Sequence, residues 1–270
     1  MMFFRRYVSN IPLAFMIMLV MSGFEININL VRNSISILLF VNAIVFIEKK
    51  QFLPFLLVCL LGFTFHSSSL AYIPMYFIIN RKFNKYIMMA IFAVANVIYL
   101  FHIPILKSLI LMVVDYIMPS TKLWVEAYLS MDLSTGSVLS IGYLERLLTG
   151  ILLFCYIDKL REVRNGNNIF VNSMLFYLCT FLFLSEFRTI SLRCSYLFIY
   201  AYWIVWIDLI KCFTYRNNKI LYLSFVALYS LLKVYFLNTT AMSEYYNITI
   251  ENKPYNERLI HFRQHFNDVK

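Results

Sequence analysis

The residues of this chain that could do chemistry stand inside apolar sequence. In "LLGFTFHSSSLAYIPMYFIINRK", residues 60–82, His66, Ser67, Ser68 and Ser69 interrupt an otherwise greasy run. Polar and ionisable groups at such a depth are costly, so they mark a candidate site by position alone. Four arginines occupy comparable places: Arg32 in "NLVRNSISILLF", Arg146 beside Glu145 in "SIGYLERLL", and Arg188 and Arg193 in "FRTISLRCSYLF". A guanidinium keeps its charge and presents a planar fork that matches phosphate oxygens. Arginines converging on a half-helix N-terminus at the serine-rich break would form a pyrophosphate site. The plain alternative for each is snorkelling to headgroups, or pairing with Glu145 or Glu186. Tyr196 and Tyr200 follow Arg193 at i+3 and i+7, a single helix face with Trp203 close by, where a sugar could stack. Tyrosine and tryptophan also form the ordinary interfacial belt, so that reading stays open. His66, Glu186, Glu145 and Asp132 are the groups able to take a proton.

Several chemistries are excluded. The chain has no P-loop, GxGxxG, HExxH, GxSxG or paired CxxC, and no Asp-x-Asp pair for a divalent metal on a nucleotide sugar. Neither a metal nor a cofactor is therefore expected. Cys59, Cys155, Cys179, Cys194 and Cys212 fall in or beside apolar runs without paired spacing and read as small buried apolar residues.

The elements that must position these groups follow from composition. Hydrophobic residues make up 61% and charged residues only 14%, with a mean hydropathy of +0.71. A soluble domain carries about 25% charged residues, so the class is an all-α polytopic membrane protein. Apolar stretches at about 8–24, 31–47, 52–79, 86–101, 138–157, 169–187, 194–210 and 219–237 predict about 8–9 transmembrane or re-entrant helices. The N-terminal stretch lacks a convincing small-residue cleavage site and reads as a first span, not a leader. The multi-span domain covers 1–237, with an outer loop at about 102–137, and 238–270 forms an extracytoplasmic tail. Within the loop, 104–118 is too short to span and reads as an amphipathic piece in the outer interface.

Charge orients the spans. The net charge of +10 sits in short clusters between apolar runs, which argues for the positive-inside pattern and against nucleic acid. Arg5/Arg6, Lys49/Lys50, Arg81/Lys82/Lys85, Lys159/Arg161/Arg164 and Lys211/Arg216/Lys219 all fit the cytoplasm, with the N-terminus inside and the C-terminus outside. Segment 52–79 alone breaks the alternation, since a basic cluster flanks each end. As one helix it would reach about 42 Å, against a hydrocarbon core of roughly 30 Å. Two half-length helices meeting at Phe65–Ser69 resolve both conflicts, with Ser67 to Ser69 as N-caps of the second. One long tilted helix with His66 bonded to a neighbour is the alternative.

"NLVRNSISILLFVNAIVFIEKKQFLPFLLVCLLGFTFHSSSLAYIPMYFI" resembles the central region of the EpsG-type, Wzy-like oligosaccharide repeat-unit polymerases. An arginine opens a span (Arg32), a basic turn follows (Lys49/Lys50), and an apolar run ends in Phe-His-x-Ser (Phe65 to Ser68). "GSVLSIGYLERLL" and "FRTISLRCSYLF" are similar in type to the family's outer loop and arginine-tyrosine segment, and the likeness covers about residues 25–260. Family members usually carry additional spans before the arginine segment, where this chain has one. The resemblance implies glycosyl transfer on the outer face of the bacterial cytoplasmic (inner) membrane, as in O-antigen, capsule or exopolysaccharide assembly. Its implied partners are an undecaprenyl-pyrophosphate-linked glycan, membrane lipid and other polysaccharide-assembly membrane proteins. His66, Glu186 and Glu145 would then be catalytic, and Arg32, Ser67, Ser68, Arg146, Arg188, Arg193 and Tyr196 would bind substrate. A polysaccharide O-acyltransferase and a lipid-linked oligosaccharide flippase or exporter are the competing classes; the chain shows no internal duplication of the kind many transporters carry.

Overall fold

The computed structural model describes residues 2–23, 26, 30–131, 139–238, 254–257, 259–260 and 263, and omits the side chains of 22, 105, 128, 131, 188 and 236–238. Asp132, most of the outer loop's second half, most of the tail and the Arg188 side chain therefore lie outside the described residues. Helices follow one another as α1 (Met2–Tyr7), α2 (Ile11–Met18), α3 (Val31–Glu48), α4 (Phe52–Phe65), α5 (Tyr72–Ile78), α6 (Lys85–Leu100), α7 (Ile105–Ile117) and α8 (Lys122–Met131). Then come α9 (Ile141–Cys155), α10 (Ile157–Glu162), α11 (Asn168–Phe183), α12 (Arg188–Tyr196), α13 (Tyr200–Cys212) and α14 (Arg216–Asn238). No strand occurs among the described residues. The chain divides into two compact units, Met1–Thr214 and Tyr215–Lys270.

Segment 52–79 is a hairpin. Helix α4 stops at Phe65, His66 is extended (φ −154°, ψ 133°), and a short 3-10 turn, Ser67–Ala71, leads into α5. The ring of Phe52, at the start of α4, lies 5.0 Å from Tyr76 and 5.4 Å from Phe77, at the end of α5. One continuous helix would hold those residues more than 30 Å apart. The cap differs from expectation: the His66 side chain, not a serine, accepts the N–H of Ser68. A histidine at this position can do so because Nδ1 reaches its own backbone much as an asparagine oxygen does. Gly62 permits the close return, since a Cβ there would sit 2.4 Å from Ser69 Oγ. That hydroxyl donates to Cys59 O at 2.9 Å, tying the returning strand of chain to α4.

The hairpin leans on α3 and on a second break. Phe40 of α3 stacks on Tyr72 with centroids 3.8 Å apart and planes 11° apart. The Tyr72 hydroxyl donates to Leu197 O at 2.8 Å. Leu197 lies between α12 and α13, where the chain bends by 63°. At the hairpin's other end, Asn172 of α11 donates to both Ile79 O and Arg81 O at 2.7 Å. Helices α11 and α13 are buried on nearly every side and form the core, which is the burial expected of helices apolar all round.

The basic clusters of the first unit gather at one end. Lys85 pairs with Asp158 at 2.7 Å, and Arg161 donates to Phe83 O at 2.8 Å. Arg164 pairs with the buried Asp208, which Lys211 approaches to 3.5 Å. Tyr7 donates to Glu48 at 2.9 Å, and Glu48 packs against Gly166. Such a gathering is what the positive-inside reading of the sequence expects.

Fewer single helices reach the length of a full crossing than there are apolar runs. Among the described residues, only α3 is long and apolar enough to cross a membrane by itself. Thr189–Tyr196 with Tyr200–Cys212 qualifies when the bent pair is taken as one span. Other apolar helices have 10–17 residues, such as α4, α6 and α11. At 1.5 Å per residue, helices of that length fall short of a core about 30 Å thick. The expected break at His66 and an unforeseen one at Leu197 account for the shortening in α4 and α12. The exterior is nonetheless apolar, with Leu53, Leu57, Leu61 and Phe63 of α4 and Ile87, Met89, Val94 and Val97 of α6 all exposed. An apolar surface of that extent suits lipid.

Two outcomes follow. Tyr72→Phe strands the Leu197 carbonyl in apolar surroundings and should cost about 1–3 kcal/mol. It will show as a lower melting temperature in detergent, and an unchanged one would mean the bend finds its donor elsewhere. Single cysteines at Gln51 and Asn84 should label from the same side of the membrane. Labelling from opposite sides would contradict the hairpin.

Candidate functional site

Three groups of predicted residues come out differently. The first is assembled by the hairpin tip. His66 Nδ1 lies 2.7 Å from Ser68 Oγ and 3.2 Å from the Ser68 backbone N, and Ser68 Oγ lies 2.8 Å from Asn33 Oδ1. Asn33 is only 3% exposed, while its neighbour Arg32 is exposed at the start of α3. His66 is half-buried and Ser67 is exposed. The tip thus presents an imidazole and a hydroxyl to the surroundings, with the imidazole held from behind, and Arg32 is exposed on the adjoining turn of α3. Sequence reasoning missed Asn33. Its signal was available: a lone amide beside Arg32 in an apolar run needs a partner, and a buried amide organises what it bonds.

The second group centres on α9. Glu145 is 3% exposed and accepts a hydrogen bond from Thr149 at 2.8 Å, one turn on. Thr149 in turn accepts from Trp206 Nε1 of α13 at 3.3 Å. Arg146 donates to Gly142 O at 2.8 Å and to the Tyr177 hydroxyl at 3.1 Å, and its guanidinium lies 3.8 Å from the Phe181 ring centre. The arginine fork is therefore partly engaged by protein, and its cation–π contact fixes it against α11. Tyr143, on the same helix, stacks on Tyr99 and donates to Asn96 at 3.0 Å. Glu145 and Arg146 are woven into the packing of α9, α11 and α13.

The third group is the turn before α12. Glu186 accepts the backbone N–H of Lys107 at 3.1 Å. Lys107 is the third residue of α7, whose own N-cap, Pro104, makes no side-chain cap bond. A remote carboxylate thus caps α7, complementing the positive end of the helix dipole. Arg188 opens α12 two residues later. Arg193 is exposed on α12, whereas Tyr196 is 3% exposed. The i+7 alignment with Tyr200 does not survive, because the bend at Leu197 intervenes and Tyr200 instead bonds Ser173 at 2.7 Å inside the core. A local break is a tertiary outcome that helical periodicity alone misses. No group of three or more His, Cys, Asp or Glu residues placed to hold a metal occurs among the described residues.

The Glu186 cap can be tested. Glu186→Ala should loosen α7 by about 1 kcal/mol while Glu186→Gln, which keeps an acceptor, should cost less. Limited proteolysis of 105–131 in membranes reads this directly. Equal cleavage in both variants and the wild type would show that the cap contributes nothing.

Among comparisons with known proteins, no curated protein and no solved structure matches the chain. A family model does, over residues 1–256, reaching from the first helix through the histidine hairpin and both arginine segments. The chain belongs to the EpsG family, a membrane-associated family of polysaccharide biosynthesis.

Proposed function

We propose that this protein polymerises oligosaccharide repeat units carried on undecaprenyl pyrophosphate, at the outer face of the bacterial cytoplasmic membrane. The observation that carries the reading is the tip of the α4–α5 hairpin. There a broken backbone places His66, Ser67 and Ser68 beside the turn of α3 that bears Arg32. Irregular backbone at membrane depth is tolerated where it is buried in protein or lines a cavity, which is what a lipid-linked glycan requires. The N-terminus and the gathered basic end lie in the cytoplasm, and the tail lies outside.

The chemistry is a displacement at the anomeric carbon. The bond from that carbon to the pyrophosphate oxygen breaks as the bond to the acceptor hydroxyl oxygen forms. The hydroxyl proton passes to a carboxylate or to His66, and the lipid pyrophosphate departs with the electron pair. Arg188 and Arg193 stabilise the charge that develops on that leaving group. The exposure of Arg193 leaves its fork available for this. Arg32, exposed on α3, offers a further guanidinium to the lipid-linked substrates, Arg146 stays held against α11, and Tyr196 backs the arginine helix from inside.

Deleting the gene should abolish long surface glycans while single repeat units remain. At matched protein level, Arg193→Lys keeps charge but loses the fork, so it should fall nearly as far as Arg193→Ala, by about a hundredfold. Glycan chain length in cells carrying Arg188→Lys with Arg193→Lys decides the assignment. Wild-type chains from that double variant would remove both arginines from the pyrophosphate site.

A further inference from the structure

We infer that Asn33 and Ser68 hold His66 as its Nε2–H tautomer, so that this histidine donates a hydrogen bond to an anionic substrate oxygen and does not take the acceptor's proton. The inference deepens the polymerase reading and depends on it for the substrate, but not for the geometry.

The geometry starts at the cap. The backbone N–H of Ser68 points at His66 Nδ1 from 3.2 Å. A backbone N–H can only donate, so Nδ1 must offer its lone pair, and the neutral ring keeps its proton on Nε2. Ser68 Oγ stands 2.7 Å from the same Nδ1 and 2.8 Å from Asn33 Oδ1, two acceptors for its single proton. A hydroxyl has one proton to give. With Nδ1 unprotonated, that proton belongs between Ser68 and His66. Asn33 then turns its NH₂ group to Ser68 Oγ, because the two ends of a side-chain amide differ only by a half-rotation. The relay runs from Asn33 N–H to Ser68 O–H to Nδ1, with every donor facing an acceptor.

The opposite relay is the one a base at Nε2 would need. It places the proton on Nδ1, facing the Ser68 N–H, so two donors confront each other and the turn loses its cap. Asn33 matters because it is buried and anchored in α3, so the relay is built into the contact between hairpin and α3. Asn33 and Ser68 are positioning residues that act through the ring. Nε2 is a donor in the neutral ring and in the imidazolium alike, and with Arg32 exposed on the turn of α3 that carries Asn33 it suits a phosphate or pyrophosphate oxygen. The acceptor's proton then passes to a carboxylate.

Two measurements test this. Nitrogen-15 spectra of labelled protein in nanodiscs, at a pH where imidazole is neutral, report the tautomer. The chain has four histidines, so subtraction of a His66→Gln spectrum identifies the signal. A pyrrole-type Nε2 with a pyridine-type Nδ1 is expected. Asn33→Asp, which can only accept when ionised, should pull the Ser68 proton away and shift the population toward Nδ1–H. A wild-type Nδ1–H form, or no shift with Asn33→Asp, overturns the relay. The second measurement is glycan length. A glutamine amide nitrogen falls near Nε2 and an asparagine nitrogen near Nδ1. His66→Gln should therefore keep chain extension within about tenfold of wild type, one hydrogen bond's worth, and His66→Asn should lose it. Equal loss in both variants returns His66 to the role of base. Long chains in the gene deletion would defeat the polymerase reading alone, since the nitrogen shifts still decide the tautomer.

Discussion

An apolar surround cannot hydrogen-bond a broken helix, and this chain breaks two helices where they face each other. The bond from Tyr72 to Leu197 O joins the interruption after His66 to the bend between α12 and α13. Each break exposes backbone groups that water would otherwise satisfy. Here the first break is closed by its own histidine and by Ser69 on Cys59 O, and it lends the hydroxyl that serves the second. The hairpin can reverse only because these bonds exist, and the candidate groups stand at its tip for the same reason.

The rest of the first unit supports that contact from two sides. Phe40 stacked on Tyr72 presses the hairpin against α3, and Tyr200 and Phe55 complete the aromatic cluster around Phe40. Asn172 clamps the exit of the hairpin from α11, one of the two core helices. Polar side chains inside this unit are placed where backbone or charge needs them. Asn172 serves two carbonyls, Glu186 serves a helix N-terminus, and Asp208 answers Arg164 and Lys211. The apolar residues, in turn, spread over the outside of α4 and α6. The core is apolar as in a water-soluble domain, but so is this exterior, which suits hydrocarbon as the solvent.

The candidate residues divide along the same line. His66, Ser68 and Asn33 are arranged by a break, so the half-buried imidazole stands near the surface with Asn33 buried behind it. Glu145 and Arg146 lie within a regular helix and spend contacts on Thr149, Gly142, Tyr177 and Phe181, which is how a charged pair survives in a packed interior. Arg193 keeps its exposure on a short helix whose inner face is Tyr196.

What the sequence determined by itself was the solvent and the reversal. Its apolar composition pointed to a membrane, and basic residues at both ends of 52–79 favoured a chain that returns to its starting side over one long tilted helix. Both are read from counts and spacing, because the cost of moving charge across hydrocarbon is local to each segment. The Phe-His-x-Ser run likewise announced where the break would be. The tertiary structure alone decided which group caps it, that Asn33 stands behind Ser68, and that Glu186 serves α7 from 79 residues away. It also decided that the helix after Arg193 bends at Leu197, detaching Tyr200 from the face periodicity assigned to it. Those outcomes depend on donors and acceptors supplied by distant segments, and no local propensity carries that information.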